Sequence, residues 1–278
     1  MNVRKSTGLT LVELLISLVI SAILIGGLYR VFIRQQSVHI GQERVVDMQQ
    51  NARIGINRMM REIRMTAFGN MTTVLPLNTT NGRTFQNPVN PNYPNAGDLS
   101  IVLANVVVGT LTTQATVGQN IITVTPIPDS GGNPQFDLAD RAFVSIGGLE
   151  SHRINVDGDA GGGNRLLSLN GTLGFTHPAG SPVFGIRAIT YRIDTGAGRP
   201  ILIRDDQTVA EPLADNIEDL QFQFLDGAGG APATPAAIRL VNVTLMARTE
   251  IEDPDSNEHL KRQLQSNIHL KNMGLAAP

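Results

Sequence analysis

From Leu9 to Tyr29 the chain is apolar with a single charge, Glu13. Residues 14–29 read Leu-Leu-Ile-Ser-Leu-Val-Ile-Ser-Ala-Ile-Leu-Ile-Gly-Gly-Leu-Tyr. A bilayer core needs about 20 mostly apolar residues in a helix, and 9–29 is that long. Tyr29 and Arg30 fall where an interfacial anchor belongs. The pattern then becomes a stripe: Val38, Val45, Met48, Ala52, Ile56, Met59 and Ile63 recur every three, four or seven residues, one face of a helix. The two stretches predict one helix over 9–65, about 85 Å long at 1.5 Å per residue. Its first half is apolar all round, and its second half packs on a head through the stripe.

Beyond Phe68 the period shortens and turn residues set in. All 15 Pro lie in this part, the first being Pro76. Strands are predicted at 99–108, 120–125, 142–146, 165–169, 183–194, 201–204, 220–225 and 238–248. The Asn-, Pro- and Gly-rich residues 77–97 read as an exposed loop. Gly and Pro between the strands predict antiparallel pairing, so the fold class is α+β, a long N-terminal helix on a β-rich head. About 210 residues bury enough surface to fold without cystines.

Charge follows the same divisions. Arg4 and Lys5 make a short basic leader, and seven Arg face only Glu43, Asp47 and Glu62 over 30–65. The remainder is acidic, and the whole chain carries −2. That balance argues against nucleic-acid binding. The absence of Cys excludes a disulfide scaffold, a Cys-ligated metal and a thiolate nucleophile. The five His form no HExxH pair, and neither a GxSxG elbow nor a phosphate loop occurs, so no enzyme is expected. Asn155-Val-Asp157-Gly-Asp159 offers oxygen ligands of the kind Ca²⁺ takes, but the rest of a calcium loop is missing. Asp157 and Asp159 read as a plain turn or a minimal Ca²⁺ site, and otherwise no cofactor is expected. Asp253, Asp255 and Glu258 read as a solvated acidic loop. Gly26-Gly27 inside the apolar rod reads either as a hinge or as small residues for close helix packing.

Glu13 is the conspicuous residue. An acid in the middle of a membrane helix costs ~2.5–3.5 kcal/mol on insertion scales, less near an end. Nothing basic lies within the span, so its partner is a nearby terminus, another subunit or solvent. A cleaved secretory signal and a plain signal anchor are the simpler readings of the segment. Neither explains the acid, and the helical pattern runs on past any cleavage site.

The run Arg4-Lys5-Ser6-Thr7-Gly8-Leu9-Thr10-Leu11-Val12-Glu13-Leu14 resembles the leader of type IV prepilins. Most members begin the mature chain with Phe, and Leu9 is a departure. The resemblance implies that a prepilin peptidase cuts between Gly8 and Leu9 on the cytoplasmic face and methylates the Leu9 amine. It further implies that Glu13 pairs with the amine of a neighbouring subunit during assembly. Residues 213–224, 239–249 and 262–272 are similar to minor pilins of the PilW type, and to J-type minor pseudopilins of type II secretion. The division implied is a cleaved leader 1–8, a transmembrane and filament-core helix 9–29, an amphipathic helix 30–68 and a periplasmic head 69–278. The partners implied are the prepilin peptidase, the major pilin and other minor pilins, an inner-membrane assembly platform with its motor ATPase, and membrane lipid. The function implied is a minor pilin that helps start pilus assembly. The alternatives are a type II secretion pseudopilin, a monomeric membrane-anchored adhesive domain, and an anchored periplasmic enzyme.

Overall fold

The computed structural model describes residues 11–71, 74–79, 82–129, 131–136, 141–196, 198–253 and 256–273. One uninterrupted helix, α1 (Leu11–Arg64), spans 54 residues, about 81 Å. It runs straight through Gly26-Gly27 without a break. Residues 11–36 are exposed all round, and burial begins only where α1 enters the head, at residues 41–45.

The head is built of antiparallel sheets, as the turn spacing predicts. Its strands are β1 (Leu77–Asn78), β2 (Thr84–Phe85), β3 (Val89–Pro91), β4 (Leu99–Leu111), β5 (Ile121–Pro126), β6 (Phe143–Ile146) and β7 (Glu150–Gly161). Then follow β8 (Asn164–Leu169), β9 (Pro182–Asp194), β10 (Ile201–Asp205), β11 (Ala210–Asp215), β12 (Ile217–Leu225), β13 (Leu240–Arg248) and β14 (Lys261–His269). All eight predicted strands are present. The segment 77–97 is not a plain loop, because it contains β1, β2 and β3. Three further strands, β7, β11 and β14, lie where none was predicted. Residues 155–164 form the arm of a β7–β8 hairpin instead of an isolated turn, with Asp159 opposite Arg165 and Gly161 opposite Asn164.

Strands β4 and β9 are the spine. Each is 13 residues long, and they pair over nearly their whole length. Register shifts at Ala104/Val106 and Val107/Gly109 bend β4, as bulges do. Beyond the bend β4 pairs with β5, β5 with β8, β8 with β7, β7 with β6 and β6 with β9, so six strands close on themselves. Val108, Leu111, Val124, Ile146, Ile154, Leu167 and Val183 are among the residues filling this small barrel. Gly109 permits the closure: a Cβ there would lie 2.5 Å from Val124 Cγ1 and 2.8 Å from the Thr125 carbonyl oxygen.

Before the bend the sheet is open, and its two faces alternate as a strand requires. Val102, Ala104, Ile186 and Ala188 face a cap containing Met71, Val74, Leu77 and Phe85. Leu99, Ile101, Leu103, Ile189 and Tyr191 face α1. The three-stranded sheet β12-β13-β14 supplies the other wall through Val241, Val243, Leu245, Ala247 and Ile268. Met48, Ala52, Ile56, Met59 and Ile63 lie buried in that shared core, with Val45 packed against it. The stripe is thus five buried residues and one at the border. Val38 lies below the head and is 56% exposed.

Helix and head lie close together at Gly55. A Cβ there would be 3.0 Å from Ala214 Cβ and 3.2 Å from Leu202 Cδ2. The helix ends where Thr66 N–H bonds to the Ile63 carbonyl and Ala67 turns to φ 65°. Asn272 then donates to the carbonyls of Met65 and Thr66, satisfying acceptors a helix end leaves open.

Candidate functional site

The processing site expected at Gly8 and Leu9 lies outside the described residues. Glu13 is placed in the first turn of the described helix, exposed among exposed apolar side chains. Ser17 donates to the Glu13 backbone carbonyl at 2.7 Å, one turn along. An acid at this end of a helix is favoured by the helix dipole. Around it stands a cylinder of apolar surface: Leu11 is 79% exposed, Leu18 62%, Ile25 66% and Phe32 63%. Among the described residues no part of the head covers it. A soluble monomer rarely exposes a contiguous apolar surface of this size, so lipid or other helices must take it up. The helix is long and apolar enough to cross a membrane.

Rod and head are joined by a polar lock as well as by the core. Tyr191 of β9 donates its hydroxyl to Glu62 of α1. Arg204 of β10 approaches both Glu62 carboxylate oxygens through Nε, at 3.1 and 3.0 Å. Arg58 pairs with Glu211 of β11 at 2.9 Å. Burial pushes the Tyr191 hydroxyl well above its ordinary 10.0, and the charge of Glu62 adds to this while Arg204 and Arg58 oppose it. Burial alone would weaken the Arg204 charge, but Glu62 outweighs it, and the guanidinium holds its proton more tightly than usual. Asp206 is half-buried, which would raise its carboxyl, yet Thr208, Val209 and Arg204 keep it below the ordinary range. The arrangement fixes the angle and register at which the rod leaves the head.

A second buried cluster was not legible beforehand. Glu150 of β7 accepts from His152 Nε2 at 3.0 Å and His177 Nε2 at 2.7 Å. It also accepts from the backbone N–H groups of Gly174 and Phe175 at 2.7 and 3.1 Å. Each His therefore presents a protonated Nε2. The three side chains are nearly inaccessible: Glu150 is 7%, His152 6% and His177 2% exposed. Burial raises the Glu150 carboxyl, but the four donors together hold it below its ordinary value. The cluster ties the β8–β9 loop to the barrel. Its geometry is that of a clasp.

Asp157 is engaged by Arg165, with Oδ1–Nε and Oδ2–NH2 both at 2.7 Å. Asp159 accepts from Gly161 N–H at 2.8 Å. The two carboxylates are thus placed in the hairpin arm, each with a partner. Among the described residues no group of three or more His, Asp or Glu is arranged to hold a metal ion.

Residues 3–29 match the prokaryotic N-terminal methylation motif. The matched segment ends at Tyr29 and takes in Gly8, Leu9, Glu13 and the apolar rod. With the long helix and antiparallel head, it supports a type IV pilin-like or pseudopilin-like protein, anchored through that helix and structural in role. A motif of this kind implies processing by a prepilin peptidase and assembly with other pilins. No curated protein and no solved structure matches the chain.

Proposed function

We propose that this chain is a minor pilin, a structural subunit that helps start assembly of a type IV pilus. The observation that carries the reading is the naked rod: residues 11–36 are exposed on every side, carry one acid near their start, and continue without a joint into the core of the head. Such a rod has a use only where other helices or lipid surround it.

Cleavage between Gly8 and Leu9 frees an amine that must enter a low-dielectric bundle. Opposite charges about 4 Å apart attract by ~4 kcal/mol at an effective dielectric near 20. This is comparable with the ~2.5–3.5 kcal/mol that a buried acid costs. Pairing Glu13 of one subunit with the Leu9 amine of another therefore removes an unfavourable state from each and favours a defined axial register. The rod crosses the inner membrane once, with the leader in the cytoplasm and the head in the periplasm, until the assembly platform and its motor move the subunit into a surface filament.

The leader and rod equally suit a type II secretion pseudopilin. Residues 213–224, 239–249 and 262–272 resemble PilW-type minor pilins and J-type minor pseudopilins alike, so the phenotype of a deletion separates the two. Two measurements test the reading. Mass spectrometry of the native product should find a methylated Leu9 as the first residue, and retention of Met1 would leave only a tethered monomer. Deletion of the gene should abolish surface pili and spare protein secretion, whereas the reverse phenotype selects the pseudopilus.

A further inference from the structure

At the base of the head, where α1 enters it, is a notch of about 190 Å³. Ile40, Gly41 and Arg44 of α1 form one wall, and Ile251, Asp253 and Leu260 the other. Its apolar residues remain open to solvent: Ile40 is 39%, Ile251 54% and Leu260 39% exposed. The outer wall is the bend that joins β13 to β14. Residues 250–258 carry Glu250, Glu252, Asp253, Asp255 and Glu258 with no Lys or Arg. Asp255 is outside the described residues. Within the molecule Glu250 meets Arg199 at 3.3 Å and Glu252 meets His259 at 3.9 Å. Both Arg199 and Glu250 are more than half exposed.

The neck of α1, just below, has the opposite character. Arg30 and Arg34 are exposed, and the helix carries no acid between Glu13 and Glu43. Val38 lies one turn above Arg34 and is 56% exposed, the only member of the amphipathic stripe that the head leaves uncovered. An apolar residue one turn from a cation complements an apolar notch with an acidic rim.

We propose that the notch receives the neck of α1 from a second copy of this chain, with Val38 of that copy against Ile251 and Leu260 and its Arg34 against the rim formed by Glu250, Glu252 and Asp253. This rests on the filament reading. It adds a surface on the head to the contact made by the rods, and it agrees with their register. With the helix that the sequence predicts from Leu9, setting the Leu9 amine of one copy level with Glu13 of a parallel copy displaces the first toward the head by four residues, about 6 Å. The same displacement brings Val38 level with position 42, in the middle of the notch. One register thus serves the rod pair and seats Val38 in the notch, with Arg34 one turn below it.

The chain has no Cys, so single introduced thiols give clean cross-links. Two differently tagged full-length copies, one Val38→Cys and one Leu260→Cys, are co-expressed, and membranes and sheared filaments are oxidised with copper phenanthroline. A disulfide requires Cα atoms within about 7 Å. The expected result is a product bearing both tags, at least fivefold above the control pair of Val38→Cys with Val117→Cys, an exposed residue of the distal barrel. Arg34→Glu on the first copy should reduce the product severalfold, and Glu252→Arg on the second should restore it. Both copies present in the filament fraction without excess product overturns this contact and leaves the filament reading standing. Cross-linking of Leu260→Cys only to a different subunit, or only labelling of that thiol by a lipid-soluble maleimide, also overturns it. Absence of both copies from the filament fraction overturns the filament reading itself.

Discussion

Glu62 of α1 and Arg204 of β10 meet 142 residues apart in sequence, with the guanidinium Nε 3.0 Å from the nearer carboxylate oxygen. The guanidinium is 6% exposed and the carboxylate 15%. Breaking one half of a buried pair leaves the other charge stranded, which costs about 3–5 kcal/mol. Arg204→Ala should therefore lower the stability of the detergent-solubilised chain by about that much in a urea titration. Replacing both partners, as in Glu62→Leu with Arg204→Met, should recover only part of the loss, because no charge of the pair is stranded but the buried Tyr191 hydroxyl loses its acceptor and Asp206 its nearby guanidinium. A double-mutant cycle that found the two effects additive would show that the pair does not act as a unit.

The Glu150 clasp gives stability an acid limit. Its carboxyl is held below the ordinary 4.5 in the folded chain and returns to that value on unfolding. The stabilisation is thus complete above about pH 4.5 and is lost as pH falls from there through the depressed folded value. Glu150→Gln keeps the shape but removes the charge, and hydrogen bonds to a charged group contribute roughly 1.5–3 kcal/mol. The variant should be less stable than wild type by about that amount at pH 7, and the gap should narrow below pH 4.5. A gap independent of pH would mean that the carboxylate charge contributes nothing.

At Gly55 the helix lies against β10 and β11 too closely for a branched side chain. Gly55→Val should cost about 1–3 kcal/mol through overpacking. Ala214→Gly, which removes the nearest atom at 3.0 Å, should return part of it. Near-ultraviolet circular dichroism and thermal melting would follow both. Equal melting temperatures for wild type and Gly55→Val would show that the helix can move away freely.

Gly26 and Gly27 have no atom within 4 Å of a Cβ built on either, so alanine fits there sterically. Each replacement should favour the helix by about 1 kcal/mol. If the pair serves as a hinge, Gly26→Ala with Gly27→Ala should diminish incorporation into filaments while leaving head stability unchanged. If it serves close helix packing, the same variant should hinder side-by-side association in detergent as well.

Glu13→Gln tests the charge pair in the rod. The variant should still be cleaved and membrane-bound, yet its share in sheared filaments should fall at least tenfold. Undiminished incorporation would remove the assembly role proposed for Glu13.

What the sequence revealed follows from how far apart the signals lie. The helix was legible because its apolar run and its stripe are local patterns, and the eight predicted strands are runs of β-branched and apolar residues. β7 was hidden by Asp157-Gly-Asp-Ala-Gly-Gly-Gly163, a turn composition that the hairpin extends into an arm. β11 carries Pro212 next to a register shift, where an edge strand tolerates it. β14 is polar, although its Leu264, Ser266 and Ile268 do alternate toward the core, so the signal was present and faint. The Glu62–Arg204–Tyr191 lock and the tie from Glu150 to His177 join residues that no spacing rule connects, whereas Glu150 and His152 share a face by lying two apart on β7, a strand the sequence hid. His152 and His177 read as isolated in the chain, and only the hairpin and the returning loop bring them to one carboxylate.

Because residues 45–63 belong at once to the rod and to the innermost layer of the head, there is no compliant link between them. A pull on the anchor is delivered straight into the packed interior. It can detach the head only by shearing the helix from both sheets together. Mechanical strength is in this way a by-product of folding, and resistance to traction should rise and fall with the thermal stability of the head.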